Sequence, residues 1–326
     1  MSYRHFTSEE RFTLYHLLNI EKMSQRKIAL RMNRSASTLS REIKRNKTEE
    51  GYYLPDQAHE KMQKRRKNAK KRFNISLETL EEIKRRLRQY HSPEQIVGRM
   101  KKEGLASISH ETLYQMVYSN YEELGEYKKY LRQKRKQRRR KGSKQERGII
   151  SGRVGIEKRP AIANEKIELG HWESDTVIGA NHEGAIVTHV DKASKFLLAS
   201  LIKSKTAEQV FQATIKLFSG LSSEQKKTMT SDNGKEFSKH EDMARELGVS
   251  HYFANPYHSW ERGLNEHTNG MLRQFFPKGT NFKIAKPEEL QKAVDMLNNR
   301  PRKSLDYRTP FEVFYSQSPA PVALHI

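Results

Sequence analysis

His171-Trp172-Glu173-Ser174-Asp175-Thr176-Val177-Ile178-Gly179 marks the point where the chain turns from helical to β texture. Asp175 falls in a first strand that runs through Thr176-Val177-Ile178 and stops at Gly179. Ala185-Ile186-Val187-Thr188-His189-Val190-Asp191 is a second strand, and Phe196 to Ile202 a third. Beyond them, 207–218 has the apolar spacing of an amphipathic helix. Met229-Thr230-Ser231 is a strand that leads into the tight turn Asp232-Asn233-Gly234. The pattern 237–247 is helical, 250–254 a short strand, and 261–276 a helix broken before Pro277. Three adjacent strands followed by alternating helices and strands predict a mixed, five-stranded α/β sheet with helices on its faces.

Three acids stand at informative places in this pattern. Asp175 lies in the first strand, Asp232 at the end of the fourth, and Glu266 on the helix after the fifth. Fifty-six residues lie between Asp175 and Asp232, and 33 between Asp232 and Glu266. Both strands belong to one sheet, so their ends can be close, and the helix can bring Glu266 over them. Hard divalent cations such as Mg²⁺ prefer carboxylate oxygens. Two such ions ~3.5–4 Å apart activate an attacking oxygen and stabilise a leaving one. A lone Asp in a strand is more often a turn former or a salt-bridge partner; the combination is what points to metal chemistry. Glu266, Asn269 and Arg273 share one helical face, so Arg273 is a candidate phosphate contact, with a surface ion pair as the plainer reading.

Charge divides the chain in the same way as texture. The formal net charge is +23, from 62 Lys+Arg against 39 Asp+Glu. Residues 161–326 hold 21 basic and 20 acidic residues, which leaves 41 and 19 for residues 1–160. The excess of +22 therefore sits in the first half, as a polyanion-binding segment requires. A solvated ribosome-like surface or an anionic-membrane binder would share that charge. The basic segments here are interleaved with helix-turn-helix patterns rather than with lipid-seeking aromatics. At 326 residues the chain has room for about two domains at ~150 residues each. No apolar run approaches the ~18 residues of a membrane span, and a soluble, unexported protein is expected. There is no cysteine, which excludes disulfides, thiolate zinc sites and cysteine nucleophiles.

The first half reads as two helical DNA-binding units. Thr7 to Leu18 has apolar residues at helical spacing. In 24–46, Ile28, Ala29 and Met32 form the inner face of one helix and Leu39 and Ile43 that of the next, with Asn33-Arg34-Ser35 as the turn. That is helix-turn-helix spacing. Outward Ser37, Thr38, Ser40, Arg41, Lys44 and Arg45 are the candidate contacts to base edges or phosphates. A second unit over 76–125 has helix starts at Ser76, at Ser92-Pro93-Glu94 and at Ser109. Residues 61–72 carry eight basic and no acidic residues, and 128–147 carry twelve basic against Glu146 alone. The expected organisation is a helix-turn-helix at 1–50, a basic linker at 51–75, the second unit at 76–125, a basic linker at 126–160, and a catalytic domain with a C-terminal helical segment at 161–326.

Four blocks in order carry a family resemblance. They are 171–179 as quoted, Thr230-Ser231-Asp232-Asn233-Gly234-Lys235-Glu236-Phe237, the run 260–278 from Trp260-Glu261-Arg262-Gly263 through Glu266 and Arg273 to Pro277-Lys278, and Leu297-Asn298-Asn299-Arg300-Pro301-Arg302-Lys303-Ser304-Leu305 with Thr309-Pro310. With them, and with the segment around 35–45, the chain closely resembles the insertion-sequence-thirty family of transposases, within the Asp-Asp-Glu transposase and retroviral integrase superfamily. His267 stands where a small polar residue is expected.

The resemblance implies an RNase H-like catalytic domain and recognition of a mobile element's terminal inverted repeats by the N-terminal region. It implies Mg²⁺-dependent DNA strand cleavage and transfer, with two ions and Mn²⁺ able to substitute. Asp175, Asp232 and Glu266 take the catalytic and metal-ligand roles by position. Double-stranded DNA, both transposon ends and target, is the implied partner, with at least a dimer assembled on it and no membrane. Such a protein is expected in the prokaryotic cytoplasm, at the nucleoid. Two rivals remain on the residues alone: a sequence-specific repressor with a vestigial nuclease domain, and an RNase H-like nuclease that cuts without joining. His240, His251, His258 and His267 lack compact ligand spacing and read as packing or surface residues.

Overall fold

The computed structural model describes residues 5–68, 73, 75–132, 150–256 and 258–316. The chain divides into two compact units, Met1–Asn74 and Ile75–Ile326. The basic stretches identified above fall partly outside the described residues, at 69–72 and 133–147.

The first unit is helical. Helix α1 (Ser8–Tyr15) starts at a capping box in which Thr7 accepts from the Glu10 amide and Glu10 accepts from that of Thr7. Helices α2 (Gln25–Arg31) and α3 (Ala36–Asn46) follow. Asn33 takes a positive φ of 49° in the turn between them, as Asn tolerates. Ser35 caps α3 through the Thr38 amide. The core holds Leu14, Leu17, Ile28, Ala29 and Leu39. It is crossed by a buried ion pair from Arg11 Nε to Glu42, 2.7 Å, which ties α1 to α3. Helix α4 (Pro55–Asn68) covers α1 and α3, so much of the segment read as a linker at 51–75 is helical and part of this unit. Residues just before and within its first turn decide this: Tyr53 and Ala58 are buried in the same core, which outweighs the polarity of the rest.

The second unit begins with α5 (Leu77–Arg88), α6 (Pro93–Lys102) and α7 (His110–Tyr118), capped by Ser76, Ser92 and Ser109. These caps stand where the sequence places them. After the short α8 (Ile162–Glu165) comes the sheet: β1 (His171–Ile178), β2 (Ala185–Asp191), β3 (Leu197–Ile202), β4 (Thr228–Ser231) and β5 (Ser250–Phe253). Its order is β3-β2-β1-β4-β5, with β1–β2 and β2–β3 antiparallel and β1–β4 and β4–β5 parallel.

Helices α9 (Ala207–Phe218) and α10 (His240–Leu247) close one core around Trp172, Phe218, Phe253 and Phe314. Helices α11 (Gly263–Leu272) and α12 (Pro287–Asn298) close the other around Ile186, Leu197, Leu272 and Leu297. Trp172 is wholly buried and donates Nε1–H to the Gln225 carbonyl at 2.8 Å, so it is core rather than a stacking platform for bases. The last helix, α13 (Pro310–Ser316), is capped reciprocally by Thr309 and Glu312.

Helices α5–α7 do not stand apart from the sheet domain. Arg99 on α6 forms a two-pronged pair with Glu312 on α13, 2.6 and 2.7 Å, and donates to the Tyr307 carbonyl. Tyr90 packs against Phe275, ring centres 4.9 Å apart. The linker expected at 126–160 therefore does not separate two bodies. Packing, which local composition does not encode, makes one.

Candidate active site

The parallel pairing of β1 with β4 matches His171 to Thr228, Trp172 to Met229 and Glu173 to Thr230. Carried two positions past Glu173, that register sets Asp175 beside Asp232. Adjacent strands are ~4.8 Å apart and residues of equal parity share a face. The Asp232 side chain is then fixed by its own turn, in which Oδ1 accepts from the Gly234 amide at 3.0 Å. Asn233 anchors the same turn, donating to the Ala254 carbonyl at 2.7 Å. The two carboxylates keep 22% and 21% of their side-chain exposure, enough to be reached from solvent.

Arg262 joins them. Its Nη1 lies 3.6 Å from Asp175 and its Nη2 3.7 Å from Asp232, while its buried Nε has no hydrogen-bond partner among the described residues. Burial pushes the Asp175 carboxyl above its ordinary range, and Asp232 adds to the rise against the opposing pull of Arg262. Two hard oxygen donors thus converge on a point that already holds positive charge, which fits a divalent cation.

Helix α11 runs along β1 on a row of polar contacts. The Asn265 amide donates to the buried Glu173 carboxylate and its side chain to the Glu173 carbonyl, both at 3.0 Å. Asn269 Nδ2 donates to Asp175 Oδ2 at 3.1 Å. Arg273 Nη2 donates to the Ile178 carbonyl at 2.7 Å. Four helical residues rise ~6 Å and two strand residues ~6.6 Å, so the 265–269 step matches the 173–175 step. Buried Thr188, opposite Asp175 on β2, lies within 3.1–3.3 Å of Asn265, Asn269 and the Asp175 carbonyl.

Glu266 sits in the first turn of α11 and is exposed. It is one turn beyond Arg262 and three residues before Asn269, both of which touch Asp175. Among the described residues no group of three acidic or histidine side chains is close enough to hold a metal ion, so the structure brings Asp175 and Asp232 together and leaves Glu266 at their flank. Arg273 is committed to backbone carbonyls and lies over the Phe282 ring at 5.8 Å, so it pins α11 to β1. A fourth acid, Glu236, is buried close by; it accepts from the Thr176 hydroxyl and pairs with Lys205 at 2.5 Å.

Arg262 was not singled out from sequence, although it precedes Glu266 by four residues. That spacing was the available signal. On the helix-turn-helix unit, Ser37, Ser40, Arg41, Lys44 and Arg45 are exposed on α3. Thr38 is half-buried, its hydroxyl 2.7 Å from that of Ser35. The histidines are packing residues in part: His240 and His251 are buried with ring centres 5.7 Å apart.

Residues 165–259 match the integrase core domain family, and residues 2–46 match a helix-turn-helix domain family. The first match spans Asp175 and Asp232 and ends before Glu266. Over 95% of its length the chain is 40% identical to 95% of the transposase for insertion sequence element IS4351 of Bacteroides fragilis. It is 36% identical to the InsI transposase of element IS30A from Escherichia coli strain K12, over 95% of this chain and 83% of that protein. Among solved structures, the catalytic core domain of BIV integrase is 24% identical, covering 44% of this chain and 93% of its own, with a TM-score of 0.36.

Proposed function

The chain belongs to the IS30 family of insertion-sequence transposases, enzymes of DNA cleavage and strand transfer, and from that premise we propose that Asp175, Asp232 and Glu266 form its catalytic centre. The observation that carries this reading is the convergence on one guanidinium of Asp175, within β1, and Asp232, just past the end of the adjacent parallel β4. An integrase core depends on divalent metal; Mg²⁺, or Mn²⁺ in its place, is the ion these oxygen donors suit. When bound, it supplies Lewis acidity to the attacking and leaving oxygens of the phosphodiester.

The protein's own contributions are positional. Asp175 is oriented by Asn269 and by the Thr176 amide, 2.8 Å from its Oδ1. Asp232 is oriented by the Gly234 amide. Glu266, on the first turn of α11, completes the set from the exposed side, where DNA approaches. Arg262 balances the charge of the two aspartates at the place where a cation would be held. Cleavage by water frees a 3′-hydroxyl, which then attacks a target phosphodiester; no covalent bond to the protein is required.

Exposed Ser37, Ser40, Arg41, Lys44 and Arg45, with Thr38 at their edge, read the terminal repeats. Two ends have to be processed together, so the active assembly is at least a dimer on DNA. Incubating the full chain with Mg²⁺ and duplexes from the element's ends, with nicking and joining scored separately, tests the reading. Both products are expected. Nicking without joining would mark a nuclease, and binding without nicking a repressor.

A further inference from the structure

Where α12 ends, Arg300 and Arg302 turn inward and line a cavity of about 610 Å³ shared with Tyr90, Arg132, His267 and Met271. Arg300 is 4% exposed and Arg302 9%. Among the described residues Arg300 makes one side-chain hydrogen bond, from Nη1 to Gln274 at 3.3 Å, and its Nε and Nη2 are buried without partners. Arg302 donates to the Met271 sulfur and the Leu297 carbonyl, and its Nε likewise has no partner among the described residues. Among the described residues neither guanidinium pairs with a carboxylate; the nearby Glu94 is taken by Lys303 at 2.7 Å. Burying a charge without a counter-charge costs several kcal/mol, and here two share one space. Burial, aided by mutual repulsion, presses Arg302 down to about 9, and burial with Arg132 presses Arg300 to about 10.

We propose that this cavity is a DNA-backbone site that takes a phosphodiester of the strand running past α11. The inference rests on the reading that α11 presents Glu266 to DNA. Its chemistry follows from the donors: two planar forks suit phosphate oxygens. Its size is that of a nucleotide-scale ligand rather than a lone ion. Exposed Arg132 stands at its rim, at the edge of the basic run 128–147, and His267, next to Glu266, lines it from α11.

The test is binding of a short fluorescent duplex to the full chain without divalent metal, over a series of salt concentrations. Each neutralised phosphate contributes about 0.9 to the slope of log K against log salt. Arg300→Gln is expected to lower that slope by about one phosphate and to leave the ligand-free melting temperature unchanged or raised. Arg300→Lys, which keeps the charge, is expected to keep the slope while weakening binding several-fold. An unchanged slope with a lowered melting temperature in Arg300→Gln would mean a structural arginine and overturn the site. Protection by inorganic phosphate with no change in the duplex slope would make it a free-anion site, and loss of self-association without DNA would make the partner a second copy of the chain. Should Arg300→Gln not fold, the slope of exposed Arg132→Gln decides: a loss of about one phosphate supports the site and no loss overturns it. Nicking is not read in this assay, so its failure leaves the catalytic assignment intact; continued nicking by Asp232→Asn would in turn leave the slope result standing.

Discussion

Asp175 and Asp232 are neighbours by strand register: the offset of 57 that pairs His171 with Thr228 is the offset between the two acids. Arg262 spans them at 3.6 and 3.7 Å. A divalent ion held by the two aspartates would therefore compete with a resident guanidinium. Arg262→Gln is expected to lower the Mg²⁺ concentration for half-maximal nicking by roughly tenfold, equivalent to ~1.4 kcal/mol of relieved competition. A metal titration of the nicking rate checks this; a higher requirement would show that Arg262 organises the site rather than holding it.

Helix α6 is held to α13 by Arg99 and Glu312. Arg99→Ala is expected to destabilise the second unit by about 1–2 kcal/mol, since a charged hydrogen-bond pair in partial burial is broken. Denaturant unfolding of Arg99→Ala, Glu312→Ala and the double variant checks it. Additive losses would mean that the pair does not couple the helices.

On α3, Arg41 is exposed and its neighbours are held by the Ser35 cap. Arg41→Ala is expected to cost about 1–3 kcal/mol on the cognate end and much less on unrelated duplex. Equal losses on both would make Arg41 a phosphate contact.

His189 and His251 are buried and held neutral, each down to about 3 by burial. The unfolded chain takes up these protons near pH 6.5, the folded one only near 3. Their contribution to stability is thus complete above about pH 6.5 and is lost as pH falls toward 3, at about 1.4 kcal/mol per pH unit per histidine. His189 bridges Ser174 and Thr214 at 2.8 and 3.2 Å. The melting temperature should fall steeply from about pH 7 to 5, and His189→Gln should flatten that fall. Parallel profiles for the two proteins would rule out His189 as a contributor.

Local signals made most of the fold readable from sequence. The caps Ser76, Ser92 and Ser109 and the strand 185–191 lie where their residue types place them, because capping and a short apolar, β-branched run act over a few residues. Asp175 and Asp232 could be read because one lies within a strand and the other in the turn that ends one. Arg262 could not, because its role arises only when α11 is laid along β1. The docking of α5–α7 through Arg99 and Tyr90 was likewise invisible, since nothing local to either residue names its partner, Glu312 or Phe275, far along the chain. Basic composition at 51–75 suggested a linker, yet buried Tyr53 and Ala58 outweigh it and α4 forms.

Glu266 is proposed to act with Asp175 and Asp232, although it stands exposed at their flank. The most direct test is the Mg²⁺-dependent nicking rate of Glu266→Gln on end duplexes, measured beside Asp232→Asn with end binding as the control. Both variants are expected to lose at least about 10³-fold in rate, ~4 kcal/mol of transition-state stabilisation, while binding stays near that of the unmodified chain. A Glu266→Gln rate within tenfold of the unmodified chain, with Asp232→Asn inactive, would contradict the account.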